Sequence, residues 1–141
     1  MMAVQFPART ALGPSHCKKA MKPERFEDLE AWQAARALTN RTYLLCSNPP
    51  LSRDFGLCSQ LKRAAVSTMN NIAEGWESAH LGEKRQAYAY ARRSSGEVRS
   101  MSYVLLDNHF VTATEQELLY AASVRVGKLL SGLLRSLENR S

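Results

Sequence analysis

From Phe26 to the end of the chain, apolar residues return roughly every three to four positions, and the rhythm breaks only at short stretches rich in turn formers. These are Asn48-Pro49-Pro50, the run from Ser78 to Gly82, and the connection around Asn108 and His109. A period near 3.6 held over about twenty residues belongs to amphipathic helices, and no segment shows the period of two that a half-buried strand needs. Helices of that length joined by short links fold back on one another. The expected fold is therefore all-α: an antiparallel up-down-up-down four-helix bundle over residues 23-141, preceded by a disordered basic tail over residues 1-22.

The helix limits follow from caps and breakers. The first helix is expected over ~26 to 46, with Pro23 near its start and Glu24, Glu27, Asp28 and Glu30 at the positive end of its dipole. Leu29, Trp32, Ala35, Thr39 and Tyr43 share one side, and Ala31, Ala34, Leu38 and Leu45 another. The second helix is expected over ~53 to 77, capped by Ser52 with Asp54 in its first turn. Leu57, Leu61, Ala64, Ala65, Thr68 and Ile72 form its core stripe, and Gly75 ends or loosens it. The third, ~83 to 108, carries Ala87, Ala91, Ser94, Val98, Met101 and Leu105 at alternating steps of four and three, the seam of a left-handed bundle. The last begins at Thr114, whose spacing to Glu117 fits a capping box, and lines its inner face with Leu118, Ala122, Val126, Leu129, Leu133 and Leu137. Leu119, Leu130 and Leu134 widen that face.

Composition narrows the function classes. The formal charge of the 141 residues is +6, but Arg9, Lys18, Lys19 and Lys22 sit in the acid-free tail, leaving 15 basic against 13 acidic residues elsewhere. Any case for a polyanionic partner rests on clustering, not on the total. The tail lacks an apolar signal region; its basic, acid-poor composition is shared by transit peptides and by many ordinary tails, and Met21 stands directly before the ordered sequence. Cys17, Cys46 and Cys58 are odd in number and lack C-x-x-C spacing, which argues against a disulfide framework or zinc site and points to a reducing cytoplasm. No stretch approaches the roughly 20 apolar residues of a membrane span. His16, His80 and His109 lie in the tail or connections, and the phosphate-loop, Rossmann, hydrolase and Glu-x-x-His signatures do not occur. The chain is expected to be no enzyme and to use no metal or cofactor.

Three constellations remain. On the second helix, Val66, Met69 and Ala73 project more than about 90° away from the core stripe, as an oligomer interface would. Gln60, Ser67, Asn71 and Glu74 fall within about 60° of one another at the border of that stripe. Their plainer role is a hydrogen-bonded network that sets helix register; recognition is the alternative. On the third helix, Arg85, Arg92 and Arg99 recur every seven residues, with Arg93 beside them and Lys62 and Arg63 on the second helix. Tyr88, a turn away, supplies an aromatic. Such a face either stays solvated, partly neutralised by Glu83 and Glu97, or binds phosphates.

The runs Phe26-Glu-Asp-Leu29-Glu-Ala-Trp32, Gly56-Leu57-Cys58-Ser59-Gln60-Leu61-Lys62-Arg63-Ala64-Ala65-Val66-Ser67 and Asn71-Ile72-Ala73-Glu74-Gly75 resemble the four-helix-bundle proteins encoded by intervening sequences of bacterial 23S rRNA genes. Their superfamily includes the accessory proteins of diversity-generating retroelements. Ala91-Arg92-Arg93-Ser94-Ser95-Gly96-Glu97-Val98 is similar to the family's third-helix signature, with Arg93 where glycine is usual. The resemblance covers ~25 to 137. It implies a homopentamer and, for retroelement accessory members, binding to a reverse transcriptase and to nucleic acid. The expected function is a sequence-tolerant RNA- or DNA-binding accessory or scaffold factor, and the rival is a protein-interaction scaffold without nucleic acid.

Overall fold

The computed structural model describes residues 22–140, so nearly all of the tail expected over 1-22, with His16 and Cys17, lies outside the described residues. Four helices follow in order: α1 (Glu30–Cys46), α2 (Phe55–Glu77), α3 (Leu81–Asp107) and α4 (Ala113–Glu138). Among the described residues there is no strand. α1 packs on α2 and α4, and α3 packs on the same two, so the helices enclose one shared core.

That core is built from branched aliphatic side chains and alanines. Leu38, Leu61, Ile72, Val98, Leu105, Leu119, Val126 and Leu130 are fully buried, each contributing about 1.5–3 kcal/mol by leaving water. Ala35, Ala65 and Ala91 are buried between them and let the helix axes come close. The Thr39 hydroxyl lies 2.9 Å from the Ala35 carbonyl and 3.1 Å from the Ala65 carbonyl, so one side chain tied to α1 also reaches α2.

The helix starts depart from the expected limits, each for a local reason. Residues Phe26–Asp28 form a separate 3-10 turn, closed by the Asp28 carboxylate, which accepts from the Glu24 backbone N–H at 3.1 Å. Leu29 is then extended and drops into the core, so α1 begins at Glu30 rather than 26. Ser52 does not cap α2. Leu51 is fully buried, which draws Leu51–Arg53 into a second 3-10 turn, and the cap falls to Asp54, whose Oδ1 accepts from the Leu57 N–H at 3.0 Å.

At α4 the cap is Thr112, not Thr114: its Oγ1 accepts from the Glu115 N–H at 3.1 Å while Glu115 accepts from the Thr112 N–H at 2.8 Å. Both threonines fit the same spacing, and the earlier one wins because Phe110 and Val111, packed against the core, bring the chain into position two residues sooner. The inner face of α4 is correspondingly turned toward Gln116, Leu119, Ser123, Val126, Leu130 and Leu137. Leu118 is left exposed, and Ala122, Leu129 and Leu133 are half-buried. Gln116 and Ser123 are admitted because they find partners: Gln116 Nε2 donates to Ser102 Oγ at 3.1 Å, and Ser123 Oγ donates to the Tyr120 carbonyl at 2.7 Å.

Gly75 neither ends nor loosens α2, which continues to Glu77. The Tyr88 ring lies against it so closely that a Cβ there would sit 2.5 Å from Tyr88 Cε1. Lys84 completes this corner by donating to the carbonyls of Gly75 at 3.1 Å and Trp76 at 2.8 Å, which α2 leaves open at its end.

Candidate nucleic-acid interface

Helices α3 and α4 are joined along their length by the Tyr103–Tyr120 edge-on ring contact, the Ser102–Gln116 hydrogen bond and a 3.4 Å contact from Arg92 Nη1 to Ser131 Oγ. Between them runs a groove of about 650 Å³. Its floor is made of small residues, Ser95 and Gly96 from α3 and Ser123, Gly127 and Ser131 from α4, and Arg92, Arg99, Lys128 and Arg135 stand around it. No carboxylate lines it. Glu97, next to Gly96 in sequence, faces the opposite groove between α2 and α3. Arg125, the remaining cation of α4, is taken by Glu30 of α1 at 2.8 Å.

Four like charges along one groove repel one another and attract a polyanion. The small floor matters as much as the charge. The Ser95 and Ser123 hydroxyls donate to carbonyls of their own helices, those of Arg92 and Tyr120, so the donors facing outward are guanidinium and ammonium groups.

Of the six basic residues expected to act together, the structure gathers Arg92 and Arg99 in this groove and disperses the rest. One residue along a helix is a rotation of about 100°. Arg93 accordingly turns to stack over Tyr90, 5.7 Å from the ring centre. Arg63 lines the α2–α3 groove, opposite Glu97. Lys62 sits over the Tyr43 ring at 4.8 Å, and Arg85 is exposed one helical turn before Tyr88. Tyr88 offers no aromatic to this face: it is 3% exposed and belongs to the core against Gly75. Lys128 and Arg135 were not anticipated, although their own seven-residue interval on α4 repeats that of Arg92 and Arg99.

The polar line on α2 is brought together in part. Asn71 Nδ2 donates to the Ser67 carbonyl at 2.8 Å and to Ser67 Oγ at 3.0 Å, and Ser67 Oγ meets Ser94 Oγ of α3 at 3.1 Å. Gln60 lines the α2–α3 groove without joining this chain, and Glu74 is exposed with its backbone carbonyl accepting from Ser78 Oγ at 2.7 Å. Val66, Met69 and Ala73 are half-buried, and Met69 packs partly on the core.

The two described cysteines are buried beside each other. Cys58 Sγ lies 3.2 Å from the Leu51 carbonyl. Burial, reinforced by the Cys58 side chain, pushes the Cys46 thiol up to about 12, so it stays protonated and a poor nucleophile at neutral pH. Among the described residues no group of three His, Cys, Asp or Glu side chains could hold a metal ion, and no helix is long and apolar enough to cross a membrane.

None of the curated proteins compared with the chain matches it. The family model described as 23S rRNA-intervening sequence protein matches residues 27–132, from the turn before α1 into the last part of α4. That span takes in the Phe26-to-Trp32 run almost whole, the α2 signature and the α3 signature, and it places the chain in the 23S rRNA-intervening sequence protein family.

Proposed function

We propose that this protein is a non-enzymatic, cytoplasmic, homo-oligomeric accessory factor that binds RNA or DNA without strong sequence preference. The observation that carries the reading is the acid-free groove with Arg92, Arg99, Lys128 and Arg135. Phosphate contacts fix position and carry no sequence information, and no helix here presents a base-reading motif, so the binding is sequence-tolerant. The half-buried Val66, Met69 and Ala73 are the surface assigned to self-association, five copies by the family resemblance. A retroelement reverse transcriptase is the partner if the chain acts as such an accessory protein. The helices run up-down-up-down. In support, Gly75 meets Tyr88 and Ser67 meets Ser94, while Arg92 meets Ser131 and Tyr103 meets Tyr120, pairs that step in opposite directions along neighbouring helices.

Light scattering on the purified chain, with and without a mixed RNA and DNA pool, tests this. An oligomer that gains mass with nucleic acid at low salt and loses it as salt rises fits phosphate binding by counterion release. An oligomer indifferent to nucleic acid favours the second reading, a protein-docking scaffold, for which the exposed Phe55 and Leu44 side chains speak. A monomer defeats the assembly part of both.

A further inference from the structure

Two glycines in the groove carry more than the charges do. Gly96 lies in the middle of α3 and Gly127 in the middle of α4. Glycine weakens a helix interior relative to alanine, so it is kept where something requires its bare Cα. Nothing among the described residues does so here. A Cβ on Gly96 would meet no atom within 4 Å, and one on Gly127 would only touch Ser95 Oγ at 3.9 Å. Both would instead fill the groove floor.

The groove's dimensions select the ligand's shape. Arg92 and Arg99 are seven residues apart, as are Lys128 and Arg135, so each row of cations runs about 10 Å along its helix. That length spans about three stacked nucleotides of one strand. Packed helices stand only about 8–10 Å apart. A duplex, with a groove of about 12 Å between its two backbones, is broader than that spacing and can lay only one backbone at a time along the track. Past Arg99 the groove continues into a hollow lined by Gly96, Ser100, Tyr103 and Tyr120, where the Tyr103 ring is half exposed. A cationic track ending on an aromatic face is how sequence-tolerant single-strand sites are built.

We infer that the α3–α4 groove is a track for one strand of nucleic acid, its sugar-phosphate backbone lying on Gly96 and Gly127 between Arg92, Arg99, Lys128 and Arg135, with a base stacked on Tyr103. The inference rests on the nucleic-acid reading above and names its site and the form of its ligand.

The test is fluorescence anisotropy of the full chain with a labelled oligouridylate of about 12 nucleotides and a duplex of the same length, over about 50 to 200 mM salt. The single strand should bind more tightly than the duplex. Arg92→Gln with Lys128→Gln should weaken it and lower the log–log salt slope by about 0.7 for each cation removed. Lys62→Gln with Arg63→Gln, which removes the same charge from other faces, should change neither. Gly96→Ala with Gly127→Ala should lose single-strand affinity while Tm rises and the mass in solution stays constant, a combination that damage to the fold cannot give. The track is overturned, with nucleic-acid binding intact, if the duplex binds as well as the strand, or if the Lys62 and Arg63 pair carries the affinity. It is also overturned if the alanine variant binds like the parent, or changes mass and so makes the groove a contact between copies. No binding of either probe at low salt removes the nucleic-acid reading itself.

Discussion

Helix α3 turns Ser94 and Glu97 toward one groove and Arg92, Gly96 and Arg99 toward the other. On the α2 side the neighbouring surfaces are finished within the chain. Gly75 is filled by the Tyr88 ring, Ser67 meets Ser94 while accepting from Asn71, and Arg63 shares its groove with Glu97. On the α4 side the charges are of one sign and the glycines have nothing pressed against them. The same residue type therefore has opposite meanings on the two faces: at Gly75 it makes room for a side chain already present, and at Gly96 and Gly127 it leaves room that none of the described residues uses.

The sharpest way to break that contrast is to put the same methyl group on both sides. Gly75→Ala places a Cβ 2.5 Å from Tyr88 Cε1. Overpacking of this kind typically costs about 1–3 kcal/mol, more than the helix gains from alanine. A lowered denaturant midpoint at constant slope is expected, and partial recovery on adding Tyr88→Leu would tie the loss to the ring. An unchanged midpoint for Gly75→Ala would mean that the α2–α3 corner is loosely packed. On the other face, Gly96→Ala and Gly127→Ala should each raise stability, by about 0.4–1 kcal/mol, since no atom opposes the new carbon closely. A loss at either position would show that the groove floor is under tension within the chain, and the comparison would collapse.

The α3–α4 face does contain one buried polar joint, and its removal measures how firmly the groove's two walls are held. Ser102→Ala takes the acceptor from Gln116 Nε2 and leaves that amide buried without its partner, at an expected cost of about 1–2 kcal/mol. Replacing both residues by apolar ones should recover most of the loss. If the single change proves silent in chemical denaturation, the walls are held by aliphatic packing alone.

How much of this was legible beforehand differs between the same two faces. The α3 seam was legible at Ala87, Ala91, Val98 and Leu105, which are buried as bundle spacing requires, but Ser94 and Met101 are only half-buried and Ser95 and Ser102 take the buried places beside them. The cationic groove was only half legible. It joins residues from two helices, and α4 by itself has no charge signature: Glu115, Glu117 and Glu138 match Arg125, Lys128 and Arg135 in number. Even with Arg125 taken by Glu30 of α1 and Glu115 held in the N-terminal cap, Lys128 and Arg135 are still matched in number by Glu117 and Glu138, and the groove is basic only because those two acids lie outside its lining. The rotation of α4 was hidden for a related reason. A leucine-rich helix offers two overlapping apolar stripes, and the choice between them was made by Gln116 and Ser123 finding buried partners across and along the helix.

The start of α4 gives a prediction of about 1 kcal/mol that separates two readings of one sequence pattern. Thr112→Ala removes an acceptor from the Glu115 N–H and should lower stability by about that amount, whereas Thr114→Ala should be neutral within a few tenths. The reverse order in thermal melts would move the helix start two residues later and turn Leu118 toward the core.

The smallest effect is a pH dependence that burial gives to the finished face. Burial pushes the Tyr88 phenol above its ordinary value near 10, with the positive charge of Arg140 opposing in part. The unfolded chain therefore gives up this proton at a lower pH than the folded one does. Between the two values the folded state binds more protons, so stability falls as pH rises. The contribution is fully present below about pH 10 and is lost progressively above it. Tyr88→Phe keeps the ring against Gly75 and removes the ionisation. Its stability should match the parent at neutral pH and decline less steeply in alkaline denaturation curves. Tyr103, half exposed at the end of the other groove, is also raised above its ordinary value, but chiefly by its contact with the Tyr120 phenol and not by burial, so the effect of changing it to Phe should disappear once Tyr120 is also Phe. If Tyr88→Phe leaves the alkaline decline as steep as in the parent, the ring against Gly75 is not shielded from solvent, and the α2–α3 corner is as open as the groove on the opposite side of α3.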